Sequence, residues 1–125
     1  MNLLLDSHAL LWALHAPHRM RADAVVQIQD TRQPVYFSAA SAWELELKAS
    51  KGKLTLPPDW LRVAESTGFL QTPVTAAVAQ ISARLPRYHT DPFDRLLVAQ
   101  ALEQGLRIAT RDAVFGAYGV DVLEV

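Results

Sequence analysis

The chain has 125 residues, half of them apolar, and its 13 acidic and 12 basic side chains leave a net charge of −1. That length supports one domain with a real core, expected over residues 1–125, and the charge balance argues against a protein that merely coats nucleic acid. There is no cysteine for disulfide or thiolate chemistry, no apolar run near the ~18 residues of a membrane span and no basic leader before Leu3, so the expectation is a cytoplasmic protein without membrane contact.

Leu3-Leu4-Leu5 is a short continuous apolar run of the kind found in buried parallel strands. Asp6 follows it directly, and residues 7–14 read as a helix that Pro17 ends. Asp6 is therefore expected at the carboxyl end of a first strand, where open α/β sheets place their ligands; capping that helix is its simpler role. Residues 21–30 form a second, amphipathic pattern. Pro34 to Ser38 reads as a second strand, with Ser38 or Ser41 able to cap a helix from Ala39 to about Ser50.

That helix carries Glu44 and Glu46. The helical wheel puts Glu44 at the edge of the apolar stripe between Trp43 and Leu47, and turns Glu46 toward solvent. Pairing with Lys48 at i,i+4 would by itself account for Glu44. An extended connector, Leu54 to Pro58, leads to a short helix over 59–67 stopped by Gly68. Residues 69–73 read as a third strand, 75–85 as a helix, and 86–90 as a loop.

Asp91-Pro92 is a strong helix start, an N-cap acid followed by proline at the first helical position. At about 100° per residue, Leu97, Val98, Ala101 and Leu102 share one side of the helix and Gln100, Glu103 and Gln104 another, with Asp94 in the middle of the apolar side. A carboxylate aimed at the interior needs a cation, a metal or hydrogen-bond donors. Residues 106–109 form a fourth strand that Thr110-Arg111-Asp112 leaves at its carboxyl end, and Val120 to Leu123 a possible last one. The order argues a doubly wound α/β structure around a mostly parallel sheet of four to five strands.

Such a sheet can bring Asp6, Glu44, Asp94 and Asp112 to one crevice. Their repulsion in a low-dielectric cleft would call for a hard divalent cation, Mg²⁺ or Mn²⁺. Carboxylate-held metals of that kind suit phosphodiester hydrolysis. The histidines His8, His15, His18 and His89 show no spacing that requires zinc. The tryptophans Trp12, Trp43 and Trp60 suit stacking on bases, but beside leucines at helical spacing they also suit a core or an interface.

The stretches Leu3-Leu4-Leu5-Asp6-Ser7-His8-Ala9-Leu10-Leu11-Trp12, Ser38-Ala39-Ala40-Ser41-Ala42-Trp43-Glu44-Leu45, Asp91-Pro92-Phe93-Asp94-Arg95-Leu96-Leu97-Val98-Ala99-Gln100-Ala101 and Thr110-Arg111-Asp112 resemble, in order, the successive motifs of PIN domains. The likeness is greatest to the VapC-type toxins of toxin–antitoxin pairs. Each motif is weak alone; four in register over nearly the whole chain are specific. The resemblance implies an α/β/α sandwich and a Mg²⁺- or Mn²⁺-dependent endoribonuclease that inhibits translation and growth. Its acids fall on Asp6, Glu44, Asp94 and Asp112, which settles Glu44 over Glu46, and Thr110 matches a small hydroxyl residue of the site. Ser7 stands where threonine is more usual.

It further implies a VapB-type antitoxin over the active-site groove, an RNA substrate and a homodimer, with Leu10, Leu11, Leu14 and Trp43 as a candidate contact surface. Ser7, Thr110, Arg95 and Arg111 are candidate substrate contacts, with Lys48 and Lys51 as further phosphate-binding cations. The alternative is a non-catalytic binding module of the same fold. A phospho-acceptor domain built on Asp6 fits poorly, because Ser7 stands where such a domain wants a second acid.

Overall fold

The computed structural model describes residues 2–125. Five strands, β1 (Leu3–Leu5), β2 (Val35–Ser38), β3 (Leu70–Thr72), β4 (Arg107–Thr110) and β5 (Val122–Glu124), alternate with helices α1 (Ser7–His15), α2 (Ala22–Ile28), α3 (Ala39–Ser50), α4 (Trp60–Thr67), α5 (Ala76–Arg84) and α6 (Pro92–Gln104). The sheet order is β3-β2-β1-β4-β5, and every pairing is parallel. The chain thus steps from β1 outward through β2 and β3, then returns to the other side of β1 for β4 and β5. The reversal falls between β1 and β4, and crevices at such reversals are where doubly wound sheets bind ligands.

Burial on both faces explains the unbroken leucines of β1, all fully buried. Alternation along the strand sends them to opposite sides. Leu3 and Leu5 join Phe37, Leu10, Ala24, Leu45 and Trp60 in a core under α1 to α4. Leu4 joins Ile108, Leu97, Val98, Ala101 and Phe115 under α6, against which α5 packs. No helix among the described residues is long and apolar enough to cross a membrane.

The sequence-expected ends of α6 hold. Asp91 accepts from the Phe93 N–H at 2.8 Å, Pro92 opens the helix, and Gly105 closes it at φ +67°, a conformation that a Cβ would strain. The wheel of α6 needs correction. Leu102 is exposed and Gln100 is fully buried. β3 is an edge strand that Pro73 terminates, leaving carbonyls unanswered, and the Gln100 amide donates to Thr72 O at 3.3 Å and Pro73 O at 3.1 Å. Two short 3₁₀ turns, Pro17–Arg19 and Ala113–Tyr118, went unforeseen, being too short to show a period; the first is exposed, and the second is held by its buried Phe115.

Candidate active site

The carboxyl edge of the sheet assembles the predicted acids from separate elements. Asp6 leaves β1 beside β4, its backbone N–H donating to Ala109 O at 3.1 Å. It is the N-cap of α1, with Oδ1 accepting from the Ala9 N–H at 2.8 Å. Its other oxygen accepts from the Thr110 hydroxyl at 2.6 Å. Capping and site membership are thus compatible in one side chain. Burial raises the Asp6 carboxyl above its ordinary range, against the pull of the Thr110 hydrogen bond, the Ala9 N–H and His8, and nearby Glu44 adds to the rise.

Glu44 is buried on α3, whose cap is Ser38. Oε1 accepts from the Ser7 hydroxyl at 2.5 Å and Oε2 from the Lys48 ammonium at 2.7 Å. The local Lys48 pair and the tertiary site therefore coexist. That hydrogen bond raises the Lys48 pKa. Glu46 is exposed, as its wheel position requires, and accepts from the Trp60 indole N–H at 2.9 Å.

Asp94, half-buried in the first turn of α6, has its pKa pushed up to about 6. Burial is the largest cause, followed by the charge of Asp91, with Glu44 and Asp6 adding to the rise and His89 opposing it. Asp6, Glu44 and Asp94 thus feel one another across the crevice. Asp112 stands apart from the three. It is exposed, caps the following 3₁₀ turn through Val114 N–H, and accepts from or shares a proton with His89 Nε2 at 2.8 Å. The His89 hydrogen bond holds its carboxyl below the usual range. It joins the others only indirectly, its N–H donating to Thr110 Oγ1 at 3.0 Å.

His89 is the residue that sequence reasoning missed. It is buried, stacked on Tyr118 at 5.6 Å and 6° and packed on Phe115. Its only sequence signal was a histidine just before the Asp91-Pro92 start, and the partners that matter lie 23 and 29 residues away.

The candidate substrate contacts divide. Thr110 is fully buried and Ser7 nearly so; their hydroxyls hold Asp6 and Glu44, which gives them a role in positioning acids instead of touching substrate. Arg95 is a correction. Its guanidinium is buried and donates to the carbonyls of Pro86, His89, Ser82 and Leu85 at 2.7 to 3.1 Å. It clamps the end of α5 and the loop to α6, and both of its terminal nitrogens are committed to carbonyls. Arg111 lies 4.4 Å above the Trp12 ring and donates to the carbonyls of Arg19 and Val125. Lys51 is exposed. Leu10, proposed as interface, is core.

The donor set suits a hard divalent cation: three mutually repelling carboxylates, two of them raised in pKa, against polar donors and no sulfur ligand. Among the described residues no three His, Asp or Glu side chains stand together as a ready-made metal site, so holding a cation would require the carboxylates to turn toward it. An open sphere completed by water is how Mg²⁺ is commonly held.

Thr110 offers a test of the positioning. Thr110→Val keeps the shape and removes the hydroxyl, and is expected to lower metal affinity about 10- to 100-fold, as loss of a supporting hydrogen bond to a ligand does. Thr110→Ser should restore most of it, with Mn²⁺ titration as the measurement.

The PIN domain family model matches residues 3–120. Ribonuclease VapC22 of Mycobacterium tuberculosis (strain ATCC 25618 / H37Rv) is 32% identical over 116 residues, covering 89% of this chain and 87% of that protein. The crystal structure of FitAcB from Neisseria gonorrhoeae superposes with a TM-score of 0.63 at 26% identity, over 98% of this chain and 96% of that one. DNA-bound VapBC from Salmonella typhimurium gives a TM-score of 0.70 at 20% identity, over 98% and 97% of the two chains, a likeness of fold. With the four motifs in register and their acids along one sheet edge, the chain belongs to the PIN domain family, in its VapC branch.

Proposed function

We propose that the chain is a Mg²⁺- or Mn²⁺-dependent endoribonuclease, the toxin of a VapBC-type pair, which cuts RNA phosphodiester bonds in the cytoplasm and so inhibits translation and growth. The observation that carries this is the convergence of Asp6, Glu44 and Asp94 from three separate elements, close enough that the charge of Glu44 adds to the burial that raises the carboxyls of Asp6 and Asp94. The relative that is 32% identical is a ribonuclease by name, which supports the same reading.

Asp6, Glu44 and Asp94 are the side chains that would hold the cation, with Asp112 at the mouth. A divalent cation in such a place neutralises phosphate charge and makes water a better nucleophile at neutral pH. The chain's own contribution is orientation. Thr110 and the Ala9 N–H lock Asp6, while Ser7 and Lys48 lock Glu44. His89 fixes the exposed carboxylate of Asp112 and keeps it ionised, so that it can order water by accepting hydrogen bonds. The site needs no 2′-hydroxyl, so products should carry 5′-phosphate and 3′-hydroxyl ends.

Residues 1–125 form one functional domain in this reading. The partner is a VapB-type antitoxin laid over the crevice, in keeping with solved neighbours described as toxin–antitoxin or VapBC complexes, and the toxin pairs as a homodimer. RNA cleavage by the partner-free chain is expected with Mg²⁺ or Mn²⁺, to stop with EDTA, and to return when the metal is restored. Cleavage indifferent to EDTA would overturn the metal dependence. Absence of both cleavage and metal binding would favour a non-catalytic module.

A further inference from the structure

The structure separates three tryptophans that the sequence left equivalent. Trp60 is core, 2% exposed. Trp12 is partly buried beneath Arg111. Trp43 is 61% exposed. Its ring meets Phe93 edge to face, 5.4 Å between centroids at 75°. Such a contact occupies at most one face of either ring, so a flat indole surface remains open to solvent.

The place of this pair is specific. Trp43 directly precedes Glu44 on α3 and Phe93 directly precedes Asp94 on α6, and the two helices meet there. The aromatic pair therefore forms the rim of the carboxylate crevice. Its surroundings are charged: Lys48 bonds Glu44 and lies within reach of the charges of Asp91 and Asp94. An apolar protein segment wants a contiguous apolar patch. A single flat ring among charges suits a nucleobase, which is a π-face attached to an ion.

We propose that Trp43, backed by Phe93, is a stacking platform for one nucleobase of the RNA substrate, beside the phosphate to be cut. The proposal rests on the nuclease reading above and adds to it how the strand is held. Consecutive Cα atoms are about 3.8 Å apart, and Trp43 and Phe93 each stand one residue before a site acid. A base lying on Trp43 would therefore carry its phosphate beside the residues that present Glu44 and Asp94. Stacking tolerates any base, so the platform supplies affinity and register without selecting a letter.

Two variants test this, Trp43→Leu, which keeps apolar contact with Phe93 but removes the π-face, and Trp43→Phe, which keeps a ring. The readouts are KM and kcat for single-stranded RNA in Mg²⁺, and binding of dT12 with Ca²⁺ replacing Mg²⁺. Trp43→Leu is expected to raise KM and the dT12 dissociation constant about 5- to 150-fold, with kcat changed by less than about 2-fold. Trp43→Phe should recover most of the loss, and the melting temperature should fall by no more than a few degrees, because most of the ring is in solvent and only the Phe93 contact is at stake. Wild-type KM and dT12 affinity in Trp43→Leu, with RNA still cut, would overturn the platform and leave the nuclease standing. So would a variant whose only change is a smaller assembly by light scattering, since Trp43 would then be an interface residue. A wild-type chain that neither cuts RNA nor binds dT12 would remove the nuclease reading and the platform with it.

Discussion

Asp94→Asn is expected to lower RNA cleavage by at least about 10³-fold while leaving the chain folded and, without divalent metal, more stable than wild type at pH 8. The activity loss follows from removing one charge of the three that face the crevice. The stability gain follows from the pKa of Asp94, pushed up to about 6 by burial and then by the charges of Asp91, Glu44 and Asp6. A carboxyl raised in the folded state is destabilising once ionised. Below about pH 4 the group is protonated in both folded and unfolded chains, so variant and wild type should be equally stable. Between about pH 4 and 6 the unfolded chain ionises first, and wild-type stability falls.

Above pH 6 the full difference is present. At 1.36 kcal/mol per unit the upper bound is about 3 kcal/mol, and solvent contact at this half-buried position reduces it to roughly 1–2 kcal/mol. Urea unfolding of both chains in EDTA at pH 4 and pH 8 is the measurement. A variant less stable at pH 8, or one that still cuts RNA at the wild-type rate, would contradict the placement of Asp94.

Arg95→Leu should do the reverse, destabilising the fold by about 3–5 kcal/mol with no selective loss of phosphate binding. The guanidinium answers four carbonyls, those of Ser82, Leu85, Pro86 and His89. Without it they become acceptors in a confined space without a donor, at about 1–3 kcal/mol for each one that water does not reach. The His89 carbonyl is among them, so the loop that presents His89 to Asp112 should loosen with it. Arg95→Lys is expected to recover little, since one ammonium cannot span the positions served by a planar fork. A phosphate-holding arginine would give the opposite pattern: unchanged unfolding, with a raised KM and a reduced salt dependence of RNA binding. Denaturant melts beside KM values distinguish the two.

The Arg95 correction shows where sequence reasoning stopped. A cation one residue from a site acid reads as a phosphate ligand when only spacing is visible. Its carbonyl partners lie 6 to 13 residues away, at the end of α5 and in the irregular loop that follows it, and loops have no periodicity to reveal which way a side chain turns. Gln100 failed for a related reason. The wheel sorts residues by polarity, yet the carbonyls left by Pro73 made an amide the better occupant of a buried position. The Trp43, Trp60 and Trp12 environments were equally beyond a wheel, since all three sit among leucines.

What the sequence determined by itself was everything that depends on local chain chemistry. Continuous apolar runs specified buried parallel strands, and Asp91-Pro92 and Gly105 bounded α6. Asp6, Glu44, Asp94 and Asp112 could be named because their motifs follow one another in a family order. Tertiary structure alone decided how those acids stand. It packed Asp6, Glu44 and Asp94 within one another's field, turned Asp112 to His89, and gave Ser7, Thr110 and Arg95 hydrogen-bond partners that keep them from substrate. The physical reason is that backbone pattern is set by residues three or four apart, whereas the charge, burial and partners of a side chain are set by groups brought from anywhere in the chain: 104 residues separate the Thr110 hydroxyl from the Asp6 carboxylate it holds.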